Sequence, residues 1–248
     1  MSDYRPTQFN ILPEVIKNLL IINGLFFMGT VVFESSFGAD VYRYLGLHLP
    51  GSPNFMVHQL ITHMFMHGNF GHILFNMFAL WMFGNSLENV WGGKRFLIYY
   101  LVTGIGAALI HLGVSWFEAL SLQNELMSLG ATGDQLATWR AMSIDEAIRQ
   151  PALIRDYALK YAIPTVGASG AVFGILLAFG MLFPNVRIYL YFAIPIKAKY
   201  FVIGYGLLEL INGISNDPSS NIAHFAHLGG MLFGFILIKY WRRNGEIH

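Results

Sequence analysis

One hydroxyl, a handful of imidazoles and one carboxamide stand out in long stretches of hydrocarbon. Ser169 sits in VGASGAVFG (Val166–Gly174), which runs on into ILLAFGMLF. His63, His67, His72 and Asn76 lie in THMFMHGNFGHILFNMF, and His224 and His227 in NIAHFAHLGGMLFG. A serine hydroxyl is a weak nucleophile until a base takes its proton. An imidazole, with an unperturbed pKa of about 6.5, suits that task. His227 could serve, and so could His224 one turn outside it. His72 and Asn76 are four residues apart, so both leave one face of a helix. They could donate to the oxyanion of an acyl transfer, together with free backbone amides in the first turn of the helix bearing Ser169. His63, His67 and the HGN turn form a polar inlet that could bring water. The bland readings differ. Ser169 could bond the carbonyl four residues back, Asn76 could be glue between helices, and isolated histidines such as His48, His58, His111 and His248 could be merely interfacial.

Composition says what must position these groups. Of 248 residues, 55% are hydrophobic and only 12% charged, against about 25% charged in soluble domains. A multi-pass membrane protein is expected. The net charge of +1 gives no reason to expect a nucleic-acid partner. With no cysteine there is no disulfide framework, no thiolate metal site and no cysteine nucleophile. No cofactor and no metal site is expected. The N-terminus lacks the pattern of a cleaved signal peptide, so the first apolar segment is expected to be retained.

A spanning helix needs roughly 20 mostly apolar residues. Six segments qualify, at about Val15–Phe33, Phe70–Leu87, Phe96–Trp116, Val166–Phe183, Tyr200–Ile214 and Ile222–Trp241. Arg187–Ile194 is apolar but too short to span, and is expected at the interface or at the start of the next helix. One side of the membrane then receives Arg5, Lys17, Lys94, Arg95, Arg187, Lys197, Lys199, Lys239, Arg242 and Arg243. The other receives Arg43, Arg140, Arg149, Arg155 and Lys160. This bias places both termini in the cytoplasm and suits a bacterial inner membrane. The long outer loop, Phe117 to Ile163, is expected to form amphipathic helices on the outer surface. The chain reads as one domain over residues 1–248.

Spans two, four and six run from outside to inside, so their polar clusters share one shallow layer. Ser169 lies about 6 Å and His227 about 9 Å from the outer ends, at 1.5 Å per residue. His72 and Asn76 bracket that depth. Gly170, Gly174 and Ala178 line one face of the fourth span, and Gly230 and Gly234 one face of the sixth. Such small-residue faces let backbones approach closely. If these two faces meet, a hydroxyl and an imidazole come within hydrogen-bond reach. The two candidate aspartates, Asp156 and Asp217, fall in loops. The economical assignment is therefore a Ser169–His227 dyad, its imidazole held by packing against Phe173.

HGNFGHILFNMF, GASGAVFG and AHLGGMLFG, in this order on spans two, four and six, resemble the signature segments of rhomboid intramembrane serine proteases. The resemblance covers nearly the whole chain. It implies an all-α six-transmembrane-helix bundle with Ser169 as nucleophile and His227 as general base. His227 is favoured over His224 because the family histidine precedes glycines that match Gly230 and Gly234. His72 and Asn76 match oxyanion positions, His63 and His67 the polar groups lining the water path, and Phe173 the aromatic one turn after the serine. The implied substrates are single-span transmembrane proteins cut near the outer face, entering from the bilayer past the fifth helix and a cap loop, here about Ser215–Asn221. Oligomeric state is not implied. A Trp-Arg pair common in the first loop of the family is replaced by His58-Gln59, which puts the anchoring of that loop in doubt, and the loop between spans three and four is long. Two other functions fit the residues less well: a non-catalytic rhomboid-like protein that binds membrane clients, and a metal transporter using His63, His67 and His72.

Overall fold

The computed structural model describes residues 9–190, 193–215 and 223–247. Six long or apolar helices fall on the six apolar segments. They are α1 (Glu14–Phe37), α4 (Phe70–Trp91), α5 (Gly93–Ser128), α9 (Ser169–Leu182), α10 (Ala198–Ser215) and α11 (His224–Arg243). The short helices α2 (Val41–Leu45) and α3 (Gln59–Thr62) and a 3-10 turn (His63–Phe65) lie between α1 and α4. Helices α6 (Gly133–Arg140), α7 (Ile144–Ala147) and α8 (Ala152–Ala162) lie between α5 and α9. By length and composition α1 and α5 are each able to cross a membrane.

The ends of these helices follow from local chemistry. Pro13 precedes α1, and the buried Glu88 carboxylate accepts from the free amides of Val15 and Ile16, both at 2.9 Å. A carboxylate at a helix N-terminus meets both the orphan donors and the positive dipole end. Asn69 caps α4 by accepting from the amide of His72 at 2.8 Å.

Three sequence expectations change. First, α5 does not stop near Trp116. It continues to Ser128, a length of about 54 Å, well beyond a hydrocarbon core of about 30 Å. Its extension builds a second apolar core from Leu49, Ala119, Leu126, Leu136, Tyr157 and Tyr161. Residues 117–163 thus hold the end of α5 and the helices α6, α7 and α8, gathered around this second core. Capping boxes at Thr132 with Gln135 and at Ser143 with Glu146 start α6 and α7. Second, the structure is not wholly helical. Arg187–Leu190 (β1) and Ile194–Lys197 (β2) pair antiparallel, with Arg187 opposite Lys197. Third, α9 begins at Ser169 and not at Val166.

Around an apolar core, the bundle also buries polar groups and turns hydrocarbon outward. Buried faces carry Asn23, Thr30, Asn76, Asn85, Glu88, Thr103 and Glu209, whereas Leu25, Met28, Phe75, Ile203, Ile211 and Ile236 point outward. The small-residue faces do meet, through a three-helix contact. A Cβ on Gly230 of α11 would lie 1.9 Å from the carbonyl oxygen of Gly170 of α9. Gly170 itself faces Ala107 of α5, Gly174 faces Thr103, and Gly234 faces Tyr99. The seam expected between two helices is therefore shared by α5.

Because the atom opposing Gly230 is backbone, Gly230→Ala must push α9 and α11 apart. Overpacking of this kind costs about 1–3 kcal/mol. We expect a lower melting temperature in detergent for Gly230→Ala, while Gly24→Ala, where nothing lies within 4 Å, melts like wild type. Equal melting of both variants would show that the seam yields.

Candidate active site

Ser169 is the first residue of α9, so its amide belongs to the group of helix-start donors with no intrahelical acceptor. The chain reaches it through Gly167, whose φ of +130° is open to glycine but costly for other residues. The Gly167 amide donates to the carbonyl of His63 at 2.9 Å. A Cβ at this position would lie 2.8 Å from Nε2 of His72. Gly167 therefore lets the strand before the serine run directly against the His72 ring.

The Ser169 Oγ lies 2.9 Å from Nε2 of His227. The same imidazole presents Nδ1 to Oε2 of Glu209 at 2.9 Å, and Nδ1 of His224 meets that oxygen at 2.7 Å. An ionised carboxylate only accepts, so each Nδ1 carries its proton, and Nε2 of a neutral His227 is left as an acceptor for the serine O–H. Phe173 lies flat on the His227 ring, with centroids 4.0 Å apart and planes within 7°. Tyr205 stacks on Phe173 as well, with centroids 5.2 Å apart. The imidazole is thus held by an aromatic face and by a carboxylate.

The residue that sequence reasoning missed is Glu209. It adds a third group to the Ser169–His227 pair, so that the contacts form a line drawn from α9, α11 and α10. The signal was present: a single carboxylate in the apolar run YGLLELIN is a default candidate for function. Of the two histidines of α11, the structure sets His227 on the serine and His224 on the carboxylate.

His63 and His72 are close to the serine, each in a different way. His63 is buried, with Nδ1 2.8 Å from the carbonyl of Gln59. It lines a cavity of about 20 Å³ together with His111, Thr165, Ser169 and Gly170. That volume suffices for about one water molecule. His111 is therefore not a merely interfacial residue; its Nε2 is 2.8 Å from the Thr165 hydroxyl. His48 is not interfacial either. It is buried, with Nδ1 3.3 Å from the carbonyl of Tyr161. Asn76 donates one N–H to the carbonyl of His72 at 3.0 Å, along its own helix. His67 packs edge-on against His72 at 5.0 Å. The first loop finds its anchor in Gln59, which is fully buried. Its Oε1 accepts from the amides of His48 and Met56 at 3.2 and 3.1 Å, and its Nε2 donates to the Asn54 carbonyl at 2.8 Å. Of the expected cap loop, residues 216–221 lie outside the described residues, as does His248.

Burial pushes the ring pKa of both His63 and His67 down to about 4. For His67 the neighbouring His72 adds to the effect. Both rings are therefore neutral at pH 7. The unfolded chain, near 6.5, binds more protons than the folded one between pH 4 and 6.5, so stability falls as pH drops through that window. The slope reaches about 1.4 kcal/mol per pH unit for each ring. Melting curves in detergent should shift down between pH 7 and 5, and His67→Phe should show a shallower dependence than wild type. Parallel curves would exclude His67 as a source.

Comparison with known proteins follows the same residues. Residues 54–244 match the Rhomboid domain. The chain is 30% identical over 220 residues to RHOMBOID-like protein 12, mitochondrial, of Arabidopsis thaliana, covering 88% of this chain and 55% of that protein. It is 28% identical over 177 residues to Rhomboid protein 1, mitochondrial, of Saccharomyces cerevisiae, covering 71% and 40%. It is 26% identical over 221 residues to Rhomboid protease AarA of Providencia stuartii, covering 87% and 61%. The chain spans about half the length of the first two of these relatives. The matched region holds Ser169, His227 and Glu209 alike, and on this similarity the chain belongs to the rhomboid family.

Proposed function

We propose that the chain is an intramembrane serine endopeptidase, in which Ser169 attacks a peptide carbonyl, His227 moves the proton and Glu209 holds the imidazole. The observation that carries this reading is the continuous line from Oγ of Ser169 through both nitrogens of His227 to Oε2 of Glu209, with both contacts at 2.9 Å. In the first step the serine proton passes to Nε2 as Oγ bonds to the scissile carbon. The carboxylate at Nδ1 stabilises the imidazolium that forms. The negative charge on the carbonyl oxygen falls to the free amide of Ser169 at the start of α9, with the side chains of His72 and Asn76 as further donors. The imidazolium then returns its proton to the leaving amine. A water drawn from the cavity beside His63 loses its proton to Nε2 as its oxygen bonds to the acyl carbon, and that proton passes to Oγ of Ser169 as the ester bond breaks.

The substrates are transmembrane proteins in the bilayer, cut near the outer end of a single span. This rests on the six apolar helices crossing the membrane, α4, α9 and α11 from outside to inside, with both termini cytoplasmic in a bacterial plasma membrane. The outward hydrocarbon of α1, α4, α10 and α11 supports that placement, and so does the charge bias of the loops. A fluorophosphonate probe tests the chemistry. Wild-type protein in detergent should be labelled, and Ser169→Ala and His227→Ala should not. Labelling that is unchanged in both variants would refute the assignment.

A further inference from the structure

We propose that Glu209, His224 and His227 also form a binding site for a divalent transition-metal ion, Zn²⁺ in particular, and that occupancy switches the serine off. The binding half stands on geometry alone; the inhibition half rests on the protease reading above. One Nδ1 from each histidine converges on a single carboxylate oxygen, at 2.7 and 2.9 Å, and the three ligand atoms lie within 4.8 Å of one another. Two imidazoles and a carboxylate are the ligand set of an open zinc site, with a fourth position for water. At ligand distances of about 2.0–2.1 Å, neighbouring ligands of a tetrahedral ion sit about 3.3 Å apart. Each Nδ1 therefore moves about half an ångström away from the carboxylate oxygen, while the two Nδ1 atoms, at most 4.8 Å apart, close by up to about 1.5 Å through small ring rotations. Their side chains keep 8 to 11% of their surface exposed, which leaves a way in.

The fold brings these ligands together from two helices. His224 and His227 are three residues apart on one face of α11, and Glu209 comes from α10. No single sequence segment shows the site, and a reading of the sequence alone expects no metal there.

Inhibition follows from the tautomer. An ion on Nδ1 of His227 needs the lone pair that the ring proton now occupies. A neutral imidazole has one proton, which must then sit on Nε2. Nε2–H donates to the Ser169 Oγ and can no longer accept the serine proton. The ring itself neither gains nor loses a proton, and Phe173 keeps its plane fixed. The base is lost without any change in the position of the serine.

The test uses the whole 248-residue chain without a tag, in detergent, with Zn²⁺ as the probe. Calorimetric titration should show one equivalent bound by wild type and by Ser169→Ala, which keeps all three ligands. Glu209→Gln and His224→Gln should each bind at least about tenfold more weakly, with melting temperatures measured alongside to show that they fold. Zinc should also lower fluorophosphonate labelling of wild type, and a chelator should restore it. Absence of stoichiometric binding, or binding unaffected by both substitutions, overturns the site. Binding with undiminished labelling overturns the switch. If metal-free wild type is not labelled at all, the protease reading fails, and the titration of Ser169→Ala still decides the metal site.

Discussion

On the proposed function, cleavage of a single-span substrate by Ser169→Ala should fall to background, a loss of about 10⁶ in turnover by analogy with removal of the nucleophile from a soluble serine protease. The change removes one oxygen and leaves no steric conflict. Ser169 is at the start of α9 and its Oγ bonds only His227 among the described contacts, so expression and melting should be unchanged. His227→Ala should cost about as much. The double variant should be no worse than either, because groups that act as a unit lose their function together. Residual cleavage in Ser169→Ala would move the nucleophile elsewhere. A double variant much slower than both singles would show that the two groups do not act as one.

The second large effect concerns Glu209. Loss of the orienting carboxylate in a water-exposed serine protease costs about 10⁴ in turnover. Here Phe173 also holds the ring, stacked at 4.0 Å, so we expect a loss of about 10³ for Glu209→Ala. Glu209→Gln should recover about tenfold of that, since the amide oxygen can still accept from Nδ1–H though it brings no charge to the imidazolium. The loss should fall on kcat, with KM close to wild type, because the carboxylate acts on the base and not on the substrate. A structural role would lower the melting temperature of both variants and show no rescue by glutamine. Turnover within a few-fold of wild type in Glu209→Ala would mean that the aromatic stack alone orients His227.

How far the sequence discloses this arrangement depends on the physical signal. Every apolar segment long enough to span has a helix, because burying or lipid-solvating that many hydrocarbon residues leaves no other way to satisfy the backbone. The closeness of Ser169 and His227 was also legible. Alternating helix direction put them at one depth, and Gly170 and Gly230 removed the side chains between them. Glu209 was within reach of the same reasoning. Counted back from Ser215, it lies six residues from the end of α10, or about 9 Å. That is the layer of His227. It was passed over because depth was counted only on helices that run inward from the outer face. The end of α5 was misjudged for a different reason: hydropathy reports where hydrocarbon ends, and a helix can continue past that point. Glu118 and Glu125 interrupt the apolar run, yet the helix continues to Ser128 because Ala119 and Leu126 find a second core. The β1–β2 pairing lay in a segment expected at the interface or at the start of the next helix, although Pro195 in the second strand speaks against a helix there.

The carboxylate that steadies the imidazole sits on a sparsely embedded helix. Only Ala198, Val202 and Glu209 of the eighteen residues of α10 are buried, against ten of fourteen in α9. Ser169 and His227, by contrast, belong to two helices locked at Gly170 and Gly230. On the proposed function, a client that wedged α10 aside on its way in from the lipid would carry Glu209 off with it and blunt the scissors for as long as the gate stood open. Cutting would resume only once the gate had swung shut behind a client that stayed, so that brief visitors leave whole and dwell time, more than sequence, sorts prey from passers-by.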